Sequence, residues 1–323
     1  MDDQLTQSTQ APRGRGVGVA SAITAYVIWG FFPLYFALLP GVSPYEISAG
    51  RVVWSCVLVA LLITLFKRWP ILISTLRNRR VLLGCAIGGL VISTNWTVYA
   101  YAVATDQVVQ GALGYYLNPL VTVLFAVVLL RERLSRWQLA ALALAGTAAV
   151  VLTIAGGQVP WIALVLGVSF ATYGLTKKLG NATSLESLGL ETAAMLVPAL
   201  VLMLVLGRRG ELTAFSAPGG TSALIVGLGA LTVVPLLFFG YATPKVPLSL
   251  MGLLQYINPT IQFILGLVVF NEAVTTTGII GFTLVWIALL ILAIEGVRKG
   301  RGARSTTTPI DSPQHPSAPP VHQ

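Results

Sequence analysis

Charge is the scarcest thing in this chain. Lysine, arginine, aspartate and glutamate together make up 10% of its 323 residues, against 55% hydrophobic ones, and the mean hydropathy is +0.82. A soluble domain carries about 25% charged residues, so this chain could not cover a water-facing surface, and an ordinary soluble fold is excluded. Histidine is equally sparse: His315 and His322 both lie in the last ten residues, leaving no histidine for a metal or a general base in the apolar part. The two cysteines, Cys56 and Cys85, fall in separate apolar runs without CxxC or other ligand spacing. They read as small packing residues. No Walker motif is present, so ATP is not expected to bind. No cofactor and no metal are expected.

What the chain has instead is long apolar runs. A membrane-crossing helix needs about 20 mostly apolar residues. Ten candidates meet that need: 17–39, 45–66, 81–104, 108–130, 136–154, 159–178, 185–206, 221–243, 247–270 and 276–295. The first is too long, and too studded with Trp29 and Pro33, for a cleavable signal sequence. Residues 1–14 and 298–323 read as disordered cytoplasmic tails. The expectation is an all-α polytopic membrane protein, multi-pass in the cell (inner or plasma) membrane.

Basic residues orient it. With the N-terminus in the cytoplasm, seventeen lysines and arginines fall on the inner side, while Arg208 and Arg209 fall outside and Arg51 lies within a span. The positive-inside rule therefore puts both termini in the cytoplasm. These charges meet anionic headgroups of the lipid bilayer, so the basic pI does not call for nucleic acid. Glu46 and Glu186 sit at span ends and read as interfacial.

A shift of 140 residues lays one half of the chain on the other. Glu46 then falls on Glu186, Gly89 on Gly229, Tyr101 on Tyr241, Tyr116 on Tyr256, Asn118 on Asn258, Pro119 on Pro259 and Glu132 on Glu272. Each half holds five spans, an odd number, so the copies must lie upside down relative to each other. That is the inverted-repeat organisation of secondary transporters, whose sites lie near the midplane between repeats. The repeats are expected at 15–156 and 157–297.

The most unusual residues of the repeat are its repeated Tyr-x-Asn-Pro. Asn118 and Asn258 each lie some ten residues into a span, about 15 Å deep at 1.5 Å per residue. Tyr115, Asn118 and Thr122 share one helix face, and Gln255, Asn258 and Gln262 share the matching face in the other half. Two polar stripes at one depth suit the two walls of a shared cavity. Pro119 and Pro259 each free a backbone carbonyl and permit a bend. The other reading is polar glue between helices. In the third span Asn95 and Tyr99 share a face beside Trp96, and in the first Tyr26, Trp29 and Pro33 are spaced by three and four. Trp96, Tyr116 and Tyr256 are expected as apolar walls, and Tyr26 and Trp29 as gating aromatics.

Arg51 and Glu191 are ionisable groups inside spans, which marks them as functional candidates. They are also repeat partners at the 140-residue shift. Arg51 belongs to the outer half and Glu191 to the inner half, so direct pairing across roughly 12 Å is not expected. Glu191 is the acid available to couple protons. Snorkelling to the interface is the other reading for Arg51.

Several stretches resemble a known family: "IWGFFPLYF", "YEISAGRVVWS", "NWTVYAYAV", "LGYYLNPLVTVLFAVVLLRERLSRWQ", "TYGLTKK", "LETAAMLVPAL" and "LLQYINPTIQFILGLVVFNE". They are similar to the EamA-type members of the drug/metabolite transporter superfamily, and within it to the RarD subgroup, labelled chloramphenicol-sensitive proteins. The resemblance covers about residues 15–297 and implies ten helices in two inverted five-helix halves around a central cavity. Two departures stand out: the family's Gly-Glu-Arg after the fourth span reads Arg-Glu-Arg here, and after the ninth Asn-Glu-Ala.

The expected function is therefore a secondary carrier that exports a small metabolite or drug-like molecule by alternating access. An importer of the same fold is the alternative. A membrane-embedded enzyme is disfavoured because no nucleophile–base pair, metal cluster or carboxylate pair converges in the spans; a channel would show flux without saturation. Oligomeric state is not legible.

Overall fold

Inside a bilayer an apolar run can satisfy its backbone polar groups alone only as a helix. The computed structural model describes residues 14–105, 108–156, 161–180, 182–213, 220–271 and 276–305, and among these it has thirteen helices and no strand. They are α1 (Arg15–Gly30), α2 (Phe32–Phe36), α3 (Pro44–Leu65), α4 (Trp69–Leu76), α5 (Arg79–Ala104), α6 (Val108–Val128) and α7 (Arg136–Gly156). The second half holds α8 (Trp161–Leu179), α9 (Ser184–Arg208), α10 (Thr221–Ala242), α11 (Leu248–Leu254), α12 (Ile257–Val268) and α13 (Thr276–Ser305). Among the described residues, seven helical stretches are long and apolar enough to cross a membrane, α1–α2 and α11–α12 each counting as one. Three shorter apolar helices cover Leu117–Val128, Arg136–Val151 and Ile279–Glu295. Large apolar side chains such as Leu61, Ile154, Val197 and Val268 face outward. That exterior suits lipid, and the chain is a multi-pass membrane protein.

Local chemistry starts these helices. Ser43 accepts from the Tyr45 backbone N–H at 3.3 Å, with Pro44 at the first helical position of α3. A reciprocal box opens α7: the Gln138 N–H donates to Ser135 Oγ at 3.1 Å, and the Ser135 N–H donates to Gln138 Oε1 at 2.9 Å.

The packing pairs repeat. α5 lies on α8 as α1 lies on α10, α6 on α8 as α1 on α12, and α5 on α9 as α10 on α3. Three further pairs, α3 with α9, α6 with α11 and α7 with α13, join equivalent helices of the two halves. Gly89 and Gly229 occupy corresponding crossings. A Cβ on Gly89 would meet the Glu191 carbonyl oxygen at 2.8 Å, and one on Gly229 the Trp54 carbonyl oxygen at 2.6 Å. Only glycine permits backbones that close.

Four features depart from the sequence reading. The first span breaks at Phe31, because Pro33 has no N–H for the Trp29 carbonyl four residues back. The ninth breaks at Gln255–Tyr256, where bonds of the tighter i→i−3 type run from Tyr256 N–H to Leu253 and from Asn258 N–H to Gln255. α13 continues to Ser305, past the boundary expected at 297; Arg298, Lys299, Arg301 and Arg304 are the residue types that favour a helix C-terminus. Finally, Glu46 and Glu186, at the span ends as expected, are covered by protein: both are 0% exposed. Glu46 opens α3 and accepts from the Thr213 N–H at 3.0 Å, just beyond α9. Glu186 opens α9 and accepts from Arg68 Nε at 2.7 Å, just beyond α3. That hydrogen bond raises the pKa of the Arg68 guanidinium above its ordinary value. The expected tails at 1–13 and 306–323, and Glu272, lie outside the described residues.

Candidate functional site

The breaks in the first and ninth spans face the same space. Freed by Pro33, the Trp29 carbonyl accepts from Gln262 Nε2 at 3.4 Å. Gln262 Nε2 also donates to Asn258 Oδ1 at 2.9 Å. Tyr26 Oη ties α1 to the middle of α11 by donating to the Met251 carbonyl at 2.9 Å. Between these elements, α3, α5, α6 and α8, lies a cavity of about 100 Å³.

Its polar lining comes from both halves. Asn95, Asn118, Gln255, Asn258 and Gln262 all border it, as do Tyr99 and Tyr115, whose rings meet edge to face at 5.7 Å. Asn95 is partly spoken for, since its Nδ2 donates to the Leu166 carbonyl at 2.9 Å and to Ser169 Oγ at 3.0 Å on α8. Asn118 and Gln255 differ. They are 4% and 3% exposed, and neither Asn118 Oδ1 nor Gln255 Oε1 has a hydrogen-bond donor among the described residues. An unpartnered buried amide oxygen is costly, about 1–3 kcal/mol.

Arg51 also lines this cavity, so it does not snorkel outward. Its Nε donates to Thr232 Oγ1 at 3.1 Å, and its guanidinium lies 4.2 Å from the Trp96 ring centroid and 5.4 Å from that of Phe32. Cation–π contacts contribute about 0.5–2 kcal/mol, whereas burying an ion costs several. The aromatic wall continues through Trp29, Phe36 and Phe170, with Trp29 and Phe170 5.8 Å apart. Phe32, Phe36, Phe170 and Thr232 were not singled out from sequence. A phenylalanine in an apolar run carries no signal, and a threonine acquires its role only from a partner 181 residues away.

Other expected residues lie elsewhere. Tyr256 is not a cavity wall: it packs with Ala145, Ala148 and Val285, toward α7 and α13. One helical step of about 100° from Gln255 turns it off the polar face. Pro119, Pro259 and Tyr26 are buried behind the lining and shape it without bordering it. The Tyr116 side chain lies outside the described residues. Glu191 is away from the cavity. It forms an ion pair with Lys177 at 2.6 Å, both side chains about 5% exposed or less, and accepts from Tyr173 Oη at 3.1 Å and Ser187 Oγ at 2.8 Å. Lys177, read from sequence as an inner-side surface charge, is thus a buried partner, and Glu191 borders a second recess of about 300 Å³ whose lining includes Arg80. As expected, Glu191 and Arg51 are not paired with each other.

A larger recess, about 800 Å³, lies between α1, α10 and the start of α9, with Arg68 and Lys245 in its lining; it contains none of the expected site residues. Among the described residues no group of three His, Cys, Asp or Glu could hold a metal.

One further carboxylate has a defined task. Glu132 accepts from the Leu248 N–H at 2.8 Å, the Ser249 N–H at 3.0 Å and Ser249 Oγ at 2.6 Å, so it caps α11 from the segment after α6. This is the glutamate that the departing Arg-Glu-Arg retains.

Residues 16–154 match the EamA-like transporter family. Protein RarD of Streptomyces exfoliatus is 44% identical over 297 residues, covering 92% of this chain and 94% of that protein. The uncharacterized transporter YojE of Bacillus subtilis is 35% identical over 291 residues, covering 89% and 97%. A solved crystal structure superposes with a TM-score of 0.65 at 19% identity, covering 85% of this chain and 96% of its own, which speaks to fold.

Proposed function

Because the chain belongs to the EamA-like transporter family, in its RarD subgroup, and is a membrane transporter, we propose that it is a secondary exporter working by alternating access. In this reading ten spans form two inverted repeats, 15–156 and 157–297, with both termini cytoplasmic in the plasma membrane. A small metabolite or drug-like molecule binds in the cavity between the repeats. Asn95, Tyr99, Tyr115, Asn118, Gln255, Asn258 and Gln262 hydrogen-bond it, and Trp29 and Trp96 flank it.

One observation carries the reading: Asn118 and Asn258, equivalent residues of the two repeats, border a single cavity. Two halves that share a midplane site can expose it to either side in turn. The exchanged packing pairs and the matched Gly89 and Gly229 crossings support the inverted repeat. A melting-temperature screen against metabolites and antibiotics, chloramphenicol among them, identifies a ligand. Counterflow of that ligand in vesicles then tests the carrier, since a channel gives none. Matched inside-out and right-side-out vesicles separate export from import. A reporter fused after Gly300 should read cytoplasmic and one inserted between residues 209 and 220 external; the same side for both breaks the ten-span count.

We assign proton coupling to Glu191 acting with Lys177. Protonating Glu191 removes the buried ion pair, and Tyr173, which donates to Glu191, stacks at 5.8 Å on Phe239, itself 5.7 Å from the cavity residue Trp29. Glu191→Gln should abolish pH-driven transport while leaving exchange intact; pH-driven transport at the wild-type rate removes the assignment.

A further inference from the structure

Among the described residues two cations point into the helix bundle, Lys177 buried and Arg51 half-buried at the cavity, and they are treated differently. Lys177 has a carboxylate at 2.6 Å. Arg51 has none among the described residues: it meets a threonine hydroxyl and two aromatic rings and faces Tyr99 and Tyr115 across the cavity, all neutral. A guanidinium stays charged at any ordinary pH and presents five N–H donors in a planar fork. Among the described residues only the Nε donor has a protein acceptor. The Nη donors belong to a side chain that borders the cavity, and a carboxylate matches two of them at once.

The same cavity carries the opposite need. Asn118 Oδ1 and Gln255 Oε1, on side chains that border it, are buried acceptors without donors among the described residues. A ligand that satisfies all three residues is an anion at one end and an O–H or N–H donor elsewhere. Size narrows it further. A cavity of about 100 Å³, at about 10–15 Å³ per water-sized probe, has room for roughly seven to ten non-hydrogen atoms.

We propose that the cavity selects a small organic carboxylate bearing a hydrogen-bond donor, with the carboxylate on Arg51 and the donor on Asn118 and Gln255. This rests on reading the cavity as the transport site, and it narrows the substrate from any small amphipath to an organic acid. It also gives Thr232 a positioning task, since it takes the Nε donor and leaves the Nη donors to the cavity.

Three matched probes test it on the purified full chain: 4-hydroxybenzoate, which has both the charge and the donor; benzoate, which lacks the donor; and 4-hydroxybenzamide, which lacks the charge. Binding is read by tryptophan fluorescence and by melting temperature at fixed ionic strength, with sodium chloride alone as control. The expected order is 4-hydroxybenzoate, then benzoate, then 4-hydroxybenzamide, with at least about tenfold between first and last, as one charge-assisted hydrogen bond provides. Arg51→Gln should bring the carboxylate and the amide to equal affinity, and Arg51→Lys should keep part of the preference, because an ammonium supplies charge without the fork. Asn118→Leu should erase the difference between 4-hydroxybenzoate and benzoate.

The proposal is overturned if the amide binds as well as the carboxylates, if the carboxylate preference survives Arg51→Gln in folded protein, if neither carboxylate binds, or if chloride alone reproduces the response. The carrier reading fails separately. Arg51-dependent binding of 4-hydroxybenzoate without counterflow would leave the anion site standing and remove the carrier. Counterflow of 4-hydroxybenzamide that is lost in Asn118→Leu would do the reverse.

Discussion

The two halves carry the same Tyr-x-Asn-Pro signature, yet the helices that hold it differ in shape. α6 runs unbroken from Val108 to Val128 through Pro119. Its counterpart is interrupted at Gln255–Tyr256, so that α11 ends four residues before Asn258 and α12 begins one before it. The prolines cannot account for this, because both free a carbonyl four residues back. Surroundings do. α11 is pinned at its start by the Glu132 carboxylate, and at Gly252 it crosses α6 so closely that a Cβ would lie 3.0 Å from the Pro119 carbonyl oxygen. The equivalent of Gly252 in the first half is Ala112. A proline thus permits a break, and packing decides whether one forms.

The asparagines differ as well: Asn258 Oδ1 already accepts from Gln262, whereas Asn118 Oδ1 has no protein donor among the described residues. The largest expected effect tests that contrast. Asn118→Leu should weaken binding of a transported ligand by about 1–3 kcal/mol, roughly 5- to 150-fold, with little change in melting temperature. Asn258→Leu should weaken binding less and also lower stability by about 0.2–0.5 kcal/mol, the usual worth of a lost i,i+4 side-chain pair within one helix. The double variant should be non-additive if both touch one ligand group. Calorimetric affinities and melting curves for all three decide it; equal effects from the two single variants would erase the contrast.

Next in size is Gly252→Ala. The added methyl meets the Pro119 carbonyl and Thr122 at about 3 Å, and overpacking of this kind costs about 1–3 kcal/mol. A melting temperature equal to that of the wild type would mean that the crossing does not set the break. The smallest effect is expected from Glu132→Ala, which strips the cap from α11 at a cost of about 0.5–2 kcal/mol. Glu132→Gln should recover part of it, as a neutral acceptor remains; hydrogen exchange at Leu248 and Ser249 reports the loss directly.

The sequence made the apolar runs, the repeat and the polar stripe visible, because each is a local pattern of hydropathy or spacing. Asn95, Trp96, Tyr99, Tyr115, Asn118, Gln255, Asn258 and Gln262 border one cavity, since i, i+3, i+7 spacing on a helix already says which side chains share a face. What stayed hidden depends on distant partners. Glu46 and Glu186 were placed at the interface by their position near span ends, and nothing near them in sequence announces Thr213 or Arg68. Lys177 was taken as a surface charge for the same reason, until α8 and α9 bring it to Glu191. Tyr256 was misread through its neighbours: adjacency to Gln255 along the chain is not adjacency around the helix. The break in the second motif was illegible because the first motif, nearly identical, does not break.

The glutamates that open α3 and α9 also limit how this molecule can move. Glu46 begins α3 and grips the chain just past α9; Glu186 begins α9 and grips the chain just past α3. An antiparallel pair clasped at both ends cannot slide lengthwise in either direction without breaking a grip on a fully buried carboxylate. It can still tilt as one piece. α3 and α9 therefore form a beam, whereas beside the cavity the backbone is interrupted, at Phe31 and at Gln255–Tyr256.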